Sequence, residues 1–353
     1  MSKYDVIIVG AGPAGIASAL RCLKFGLKVV VVERAGLEKH KPCCGVVPVA
    51  CEDVLADLGL TLPSEVLSSP PSVGLYYVPP SGRANGGAMR EYVLLNLRRD
   101  AFDRWLCESA KDKGVEVLHE TEFVRFSGTE ILEVSVLSRD QHWKLMGKYL
   151  VGADGVHSRV RRQLYPDALP EIKTVIQESW RGAGDLGEFF YVFFRGDVTP
   201  TYGYIVPKDG LFVVGTAASA RHGTPVSVYI SLFRQWLIEE FGFEPMLMRE
   251  REVASIPDGA PGSGLGNAVL VGDAGGFCNA FSGEGIRLAL ESGILAGESV
   301  ARAVESGVSL CSVYSGLVDG VRRFVERTIE MSRGMSDESR EVFVGSELCR
   351  LVP

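Results

Sequence analysis

Val6, Ile7, Ile8 and Val9 form a continuous apolar run that ends at a cluster of glycines, after which apolar residues return at every third or fourth position through residue 25. A short apolar run bounded by turn residues predicts a buried strand, and the helical period predicts a helix over 13–25. A valine-rich run over 28–32 predicts the next strand, so the chain opens as a βαβ unit. Residues 39–45 read as a polar, cysteine-bearing loop and 52–58 as a short helix. The segment 68–85, rich in Pro, Ser and Gly, reads as a crossing between domains. Phe102, Leu106 and Ala110 share one face of a helix predicted over 97–113. Alternating stretches from 115 to 150 predict strands. Beyond Pro166 the strand-like runs 188–195, 202–206 and 211–216 suggest an antiparallel sheet, and a helix over 226–241 follows it. A strand over 268–271 and a long helix from Gly285 come next, and 317–332 is amphipathic and helical.

This order predicts an α/β protein in which a Rossmann-like domain is interrupted by an antiparallel-sheet domain and followed by a C-terminal helical segment. The expected boundaries assign 1–75, 96–165 and 262–310 to the nucleotide-binding domain. Residues 76–95 and 166–261 go to the substrate domain, and 311–353 to the helical segment.

The turn after the first strand carries chemistry. Gly10, Gly12 and Gly15, with Pro13 and Ala14 between them, form the pattern that turns tightly, lets backbone approach a pyrophosphate and lets helix pack on strand. The helix N-terminus adds free N–H groups and partial positive charge. Glu33, followed by Arg34, closes the second strand at the distance suited to ribose hydroxyls. A dinucleotide site is therefore expected here.

Composition narrows the partners. The net charge of −7 argues against nucleic acid and against a broad electrostatic grip on anionic lipid. No run of about 18 apolar residues appears, so no spanning helix is expected. The eight cysteines, at 22, 43, 44, 51, 107, 278, 311 and 349, lack a disulfide framework and read as mostly reduced thiols of a cytoplasmic protein, with association with the inner face of a membrane as the alternative. Cys51 or Cys278 is a conceivable disulfide partner for the 43–44 pair. The five histidines are scattered, and no metal site is expected.

Further motifs point one way. Asp154 and Gly155 form a tight turn between a strand and a helix, with Ser158 supporting the helix start. Gly272 and Asp273 follow the strand ending at Val271, and Gly283, Gly285 and Ile286 lead into the long helix. In that order these stretches resemble the DG and GD motifs of FAD-dependent enzymes with the p-hydroxybenzoate-hydroxylase-like fold, and Arg99-Asp100-Ala101-Phe102-Asp103 resembles their RxxFD helix start. The resemblance implies FAD as cofactor, with Asp273 on the ribityl chain, Arg99 near the FAD, and the backbone at Gly283 and Gly285 against the flavin.

Within that superfamily the chain resembles the geranylgeranyl reductase family. Lys41-Pro42-Cys43-Cys44-Gly45 is similar to its K-x-C-G-G segment, with Cys44 where a glycine is usual. Tyr202-Gly203-Tyr204-Ile205-Val206-Pro207 is similar to its Y-x-W-x-F-P segment. The resemblance implies saturation of carbon–carbon double bonds in a polyprenyl chain on a lipid, quinone or chlorophyll precursor. Cys43, Cys44 and Tyr204 become candidate catalytic groups, Cys43 before Cys44 as proton donor or redox gate. Cys44 and Gly45 become candidate cofactor contacts, and Lys41, Tyr202, Tyr204 and Pro207 candidate substrate contacts. Phe190, Phe193 and Phe212 are plausible cavity walls or plain sheet core. No second nucleotide fingerprint is found, so the electron donor is expected to be transiently bound NADPH or a small redox protein. A lipid substrate implies peripheral membrane contact through an apolar patch near the cavity mouth or the helix at 317–332. The alternatives are a flavin-dependent monooxygenase or halogenase, and a quinone-linked electron-transfer flavoprotein.

Overall fold

The computed structural model describes residues 3–168, 170–184 and 186–349. The chain starts with β1 (Tyr4–Val9), α1 (Pro13–Lys24) and β2 (Val29–Val32), then loops through residues 41–45 into β3 (Val46–Pro48) and α2 (Cys51–Asp57). Two long strands, β4 (Leu67–Val78) and β5 (Gly87–Leu97), precede α3 (Arg99–Asp112) and β6 (Glu116–Leu118). A run of β7 (Glu122–Ser127), β8 (Leu132–Ser138) and β9 (Gln141–Gly152) leads to α4 (Arg159–Leu164). The middle of the chain supplies β10 (Ile172–Ala183), β11 (Phe189–Phe193), β12 (Gly203–Lys208), β13 (Leu211–Ser219), α5 (Val226–Phe241) and β14 (Glu244–Pro257). The return supplies β15 (Gly264–Leu265), β16 (Ala268–Leu270), α6 (Gly272–Gly275), α7 (Ile286–Ser306), α8 (Leu310–Leu317), α9 (Asp319–Gly334) and α10 (Asp337–Cys349). The last four residues of the expected helical segment, 350–353, lie outside the described residues.

Two sheets result. In the first, the order β15-β16-β9-β1-β2-β6 carries parallel pairing from β16 to β6, with β7 and β8 folded onto β9 as an antiparallel ribbon. The buried run of β1 is explained by cover on both faces. Val6 and Ile8 face α1 and α7, while Ile7 and Val9 face the ribbon residues Phe123, Leu132, Val134 and Val136. Each such aliphatic side chain contributes about 1.5–3 kcal/mol on burial. Helices α1 and α7 cross closely because Gly293 and Gly297 lie against Ala14 and Arg21.

The second sheet runs β14-β10-β13-β12-β11-β4-β5-β3, antiparallel except where β11 meets β4. Period-two alternation divides its faces. Tyr191, Phe193 and Ile205 pack against Phe233, Trp236 and Phe241 of α5, whereas Phe190, Val192, Phe194 and Tyr204 face the other way.

The segment 68–85, expected as a crossing, is largely strand β4. Its prolines at 70 and 71 fall where the register with β5 breaks between Leu67 and Ser72, so no ladder N–H is missed there. Strands β3 and β4 thus bring part of the 1–75 segment into the second sheet. The loop at residues 41–45 bridges the two sheets, leaving β2 of the first and entering β3 of the second.

Candidate active site

The glycine turn sits where the sequence pattern puts it. Gly10 has φ +103°, and a Cβ there would meet the Ala153 carbonyl, while a Cβ on Gly15 would meet the Gly10 carbonyl. Gly12 is the opposite case: nothing lies within 4 Å of its missing Cβ, so the start of α1 is open on the side a phosphate needs. Glu33 is buried, and its carboxylate accepts from Ala11 N (2.8 Å), Ala35 N (2.9 Å) and Lys39 Nζ (3.1 Å). Burial opposes its charge, but the Lys39 ammonium and the two N–H groups outweigh it and hold the carboxyl below its usual range. Arg34 beside it is exposed.

Asp154 is engaged internally. Ser158 Oγ donates to it at 2.5 Å and Arg159 N at 2.7 Å, so its carboxylate caps α4. Gly155, with φ +78°, faces open space. Asp273 follows β16 and pairs with Lys41 at 3.1 Å. The resemblance puts Lys41 against substrate; here this pairing turns it toward the GD segment, and it is not among the cavity-lining residues. Gly285 precedes the first turn of α7, whose N-terminus opens toward the cavity. These features fit FAD: an open helix start, an acid at the end of β2, and a second helix N-terminus suited to the electron-rich edge of the flavin.

The cavity beyond has a volume of about 210 Å³ and mainly apolar walls. Cys43, Cys44, Tyr202, Tyr204, Gly283, Gly285 and Ile286 meet in its lining. Phe190 is a wall as expected, whereas Phe193 and Phe212 belong to the core under α5. Pro207 lies outside the lining; its carbonyl accepts from Asn96 Nδ2 at 3.0 Å. It follows Val206 toward the far end of β12, past the residues that reach the cavity. The Tyr202 hydroxyl donates to the Ser282 carbonyl. The Tyr204 hydroxyl donates to Gln177 Oε1 at 3.0 Å, and Gln177 Nε2 donates to Glu252 Oε2 at 2.6 Å.

All eight cysteines are free, Cys51 and Cys278 included. Arg99 is buried and paired with Asp103 at 3.0 Å, and it stands beside Cys43. The Cys44 thiol, as donor to the Cys43 sulfur, lowers Cys43 most; Arg99 and the Gly45 N–H (3.3 Å) add to it, and burial does not offset them. Cys43 therefore titrates well below the ordinary thiol range. The same contact, with burial, pushes Cys44 well up. Burial likewise keeps the Tyr204 phenol protonated. Of the two thiols Cys43 is thus the more acidic, while Cys44 and Tyr204 hold their protons more firmly.

Gln177, Glu252 and Lys173 line the cavity and were missed in the sequence, because β10 and β14 were not recognised. Strand β14 reads Met-Arg-Glu-Arg-Glu along 248–252 and is largely exposed, so it lacks apolar alternation. His40, Glu250 and Glu252 bring ligand atoms within 4.8 Å of one another at the rim, but His40 is already ion-paired with Glu252.

The family model described as "FAD binding domain" matches residues 3–183. The chain is 33% identical over 301 residues to Protein CbrA of Escherichia coli strain K12, covering 83% of this chain and 82% of that protein. Among solved structures it is similar to a geranylgeranyl bacteriochlorophyll reductase-like protein from Thermoplasma acidophilum, with TM-score 0.83, 20% identity, and coverage of 97% of this chain and 90% of that one. It is also similar to the flavin-dependent halogenase CmlS (TM-score 0.73, 17% identity, 97% and 68% coverage). A further similarity is to PqsL of Pseudomonas aeruginosa, a probable FAD-dependent monooxygenase (TM-score 0.71, 17% identity, 99% of both chains).

Proposed function

The chain belongs to the FAD binding domain family and is an FAD-dependent oxidoreductase, and from that premise we propose that it saturates carbon–carbon double bonds of a polyprenyl chain. The observation that carries this reading is the apolar, aromatic-walled cavity that begins at Gly283, Gly285 and the Cys43–Cys44 loop. The Thermoplasma protein of the same fold, described as reductase-like toward a geranylgeranyl-bearing pigment, is consistent with it. Bound FAD supplies two-electron hydride chemistry. The residues of this chain do the rest. Val46, Leu75, Leu94, Phe190, Val192 and Phe194 exclude water and hold an alkene segment in place. At about 210 Å³ the cavity is below the ~300–1,000 Å³ of sites that enclose a drug-sized ligand, which is compatible with its holding only a segment of a long chain. Cys44 and Tyr204 hold the protons available for the second alkene carbon.

The remainder of the chain-like substrate would leave through the mouth. Tyr92, exposed, lines the cavity there, and Val49, next after β3, and Val93 of β5 are exposed too; the two strands pair antiparallel with Pro48 opposite Leu94. This patch is our choice for peripheral membrane contact. Helix α9 is not, since Val321, Phe324, Val325 and Ile329 pack on the core. Among the described residues no helix is long and apolar enough to cross a membrane. NADPH or a small redox protein remains the proposed electron donor.

The test is anaerobic incubation of FAD-loaded protein with a geranylgeranylated lipid or quinone and chemical reductant, followed by mass spectrometry. A gain of two hydrogens per isoprene unit is expected. No gain there, with oxygen-coupled consumption of NADPH in a parallel aerobic incubation, would select the monooxygenase or halogenase reading instead. Rapid quinone reduction without saturation would select the electron-transfer reading.

A further inference from the structure

We propose that Cys43 and Cys44 form a redox-active dithiol, a second two-electron carrier set between the FAD cradle and the apolar cavity. The two residues are adjacent in sequence, partly buried, free, and both on the cavity wall. They also straddle the two halves of the molecule. Cys43 packs on the core built around α1 and α7, and Cys44 packs on the cluster of Phe190, Phe194 and Tyr204. Their loop is anchored from both sides: Gly45 pairs its carbonyl with Leu97 N at 2.8 Å, and Lys208 Nζ donates to the Cys44 carbonyl at 2.9 Å.

The fully buried thiols outside the cavity wall do not share this setting. Burial pushes Cys22 and Cys51 up to about 12 and raises Cys278 further, so they are inert at neutral pH. Cys43 has the Arg99 guanidinium and the Gly45 N–H beside its sulfur, which is the electropositive setting a reactive thiolate requires.

The step balances with FAD as oxidant. The Cys43 thiolate and the Cys44 thiol form one S–S bond, the Cys44 S–H bond breaks, and two electrons with one proton pass to oxidised FAD to give FADH⁻. The reverse recharges the dithiol from FADH⁻. Neighbouring Cα atoms stand only about 3.8 Å apart across a trans peptide. Unstrained disulfides span roughly 4.4–6.8 Å, so a bond between adjacent cysteines is strained and readily reduced. That suits a carrier and not a structural bridge. Arg99, held by Asp103, favours the reduced pair by stabilising its thiolate.

This inference needs FAD binding but not the alkene-reduction reading. Its test is an anaerobic dithionite titration of FAD-loaded protein after oxidation with diamide, followed by absorbance. The wild type is expected to take up about four electrons per FAD, and Cys43→Ser and Cys44→Ser about two. Tandem mass spectrometry provides the second readout. After diamide, Cys43 and Cys44 should resist N-ethylmaleimide as one linked pair lighter by two hydrogens, and both should react after dithionite. Cys44→Gly, which restores a small residue in the loop, guards against a folding defect, and it too should take up about two electrons. Uptake of about two electrons by the wild type, or a diamide product that leaves both thiols open or links one to Cys51 or Cys278, would overturn the proposal. Uptake of about four electrons without alkene saturation would leave the dithiol standing and remove only the proposed substrate.

Discussion

Lys41 and Asp273 form an ion pair at 3.1 Å although 232 positions separate them in sequence. The pair ties the cysteine-bearing loop to the turn after β16. The Lys41 side chain is about half exposed, so the pair contributes no more than about 1 kcal/mol to stability. Lys41→Ala is therefore expected to leave thermal unfolding nearly unchanged. Asp273→Ala should weaken FAD binding roughly tenfold, by removal of a charged acceptor. Flavin fluorescence titrations on both variants check this, and equal FAD affinity in wild type and Asp273→Ala would remove Asp273 from the cofactor site.

Two glycines three residues apart separate folding from binding. Gly12→Val adds a side chain into open space, so the apoprotein should melt close to wild type while FAD retention is lost. Gly15→Ala drives a methyl into the Gly10 carbonyl and should cost about 1–3 kcal/mol of stability. Parallel thermal melts and flavin-to-protein absorbance ratios distinguish the two. A Gly12→Val protein that remains yellow would contradict the placement of the pyrophosphate.

Much of this was legible in the sequence for a physical reason. A parallel strand covered on both faces must be continuously apolar, and a backbone that must approach a phosphate must be glycine, so β1, α1 and β2 announce themselves. The cavity's polar members were not legible. Gln177 and Glu252 lie on β10 and β14, which end in a half-exposed edge and alternate only weakly. Nor could periodicity along β11 say which of its aromatics face the cavity, because both faces are buried and both are apolar: Phe190 and Phe193 differ only by an odd number of residues. The ordering of the two thiols rests first on the contact between them and then on Arg99, which arrives from a helix more than fifty positions away.

Acid should act on the apoprotein through Glu33. Its folded pKa lies below its unfolded one, so its contribution to stability is complete above the unfolded value near about 4.3. That contribution is lost as pH falls through the lower folded value. Glu33→Gln should show a shallower loss of stability over that acid window, measured as urea midpoints at a series of pH values. Identical slopes would mean that Lys39 and the Ala11 and Ala35 N–H groups do not hold the carboxylate as the geometry has them.

Tyr204→Phe keeps the ring in the wall of Phe190 and Tyr202 but deletes the donor to Gln177. Leaving that buried acceptor unpaired should cost about 1–3 kcal/mol. If Tyr204 supplies a proton, turnover falls by one to two orders of magnitude. In the wild type the tyrosine limb should be flat across neutral pH, since burial keeps the phenol protonated. A turnover unchanged in Tyr204→Phe would leave Cys44 as the donor.

Cys43 should react as a thiolate where ordinary cysteines do not. Its acidity rests first on the Cys44 thiol and then on Arg99, so the two can be separated. The rate of iodoacetamide modification at Cys43, read by peptide mass spectrometry, should rise with a midpoint well below the usual value near about 8.5. Cys44→Ser replaces the S–H by an O–H donor and should keep the midpoint low, whereas Cys44→Ala should raise it. Arg99→Gln should also raise it, but by less, because Arg99 stands behind Cys44 among the causes. The folding of Arg99→Gln needs its own control, as Asp103 would be left buried without its partner, and Asp103→Asn in the same chain supplies it. A midpoint near the ordinary thiol value in the wild type would show that neither the Cys44 donor nor the guanidinium acts on the sulfur. The assignment of the thiolate to Cys43 would then fall.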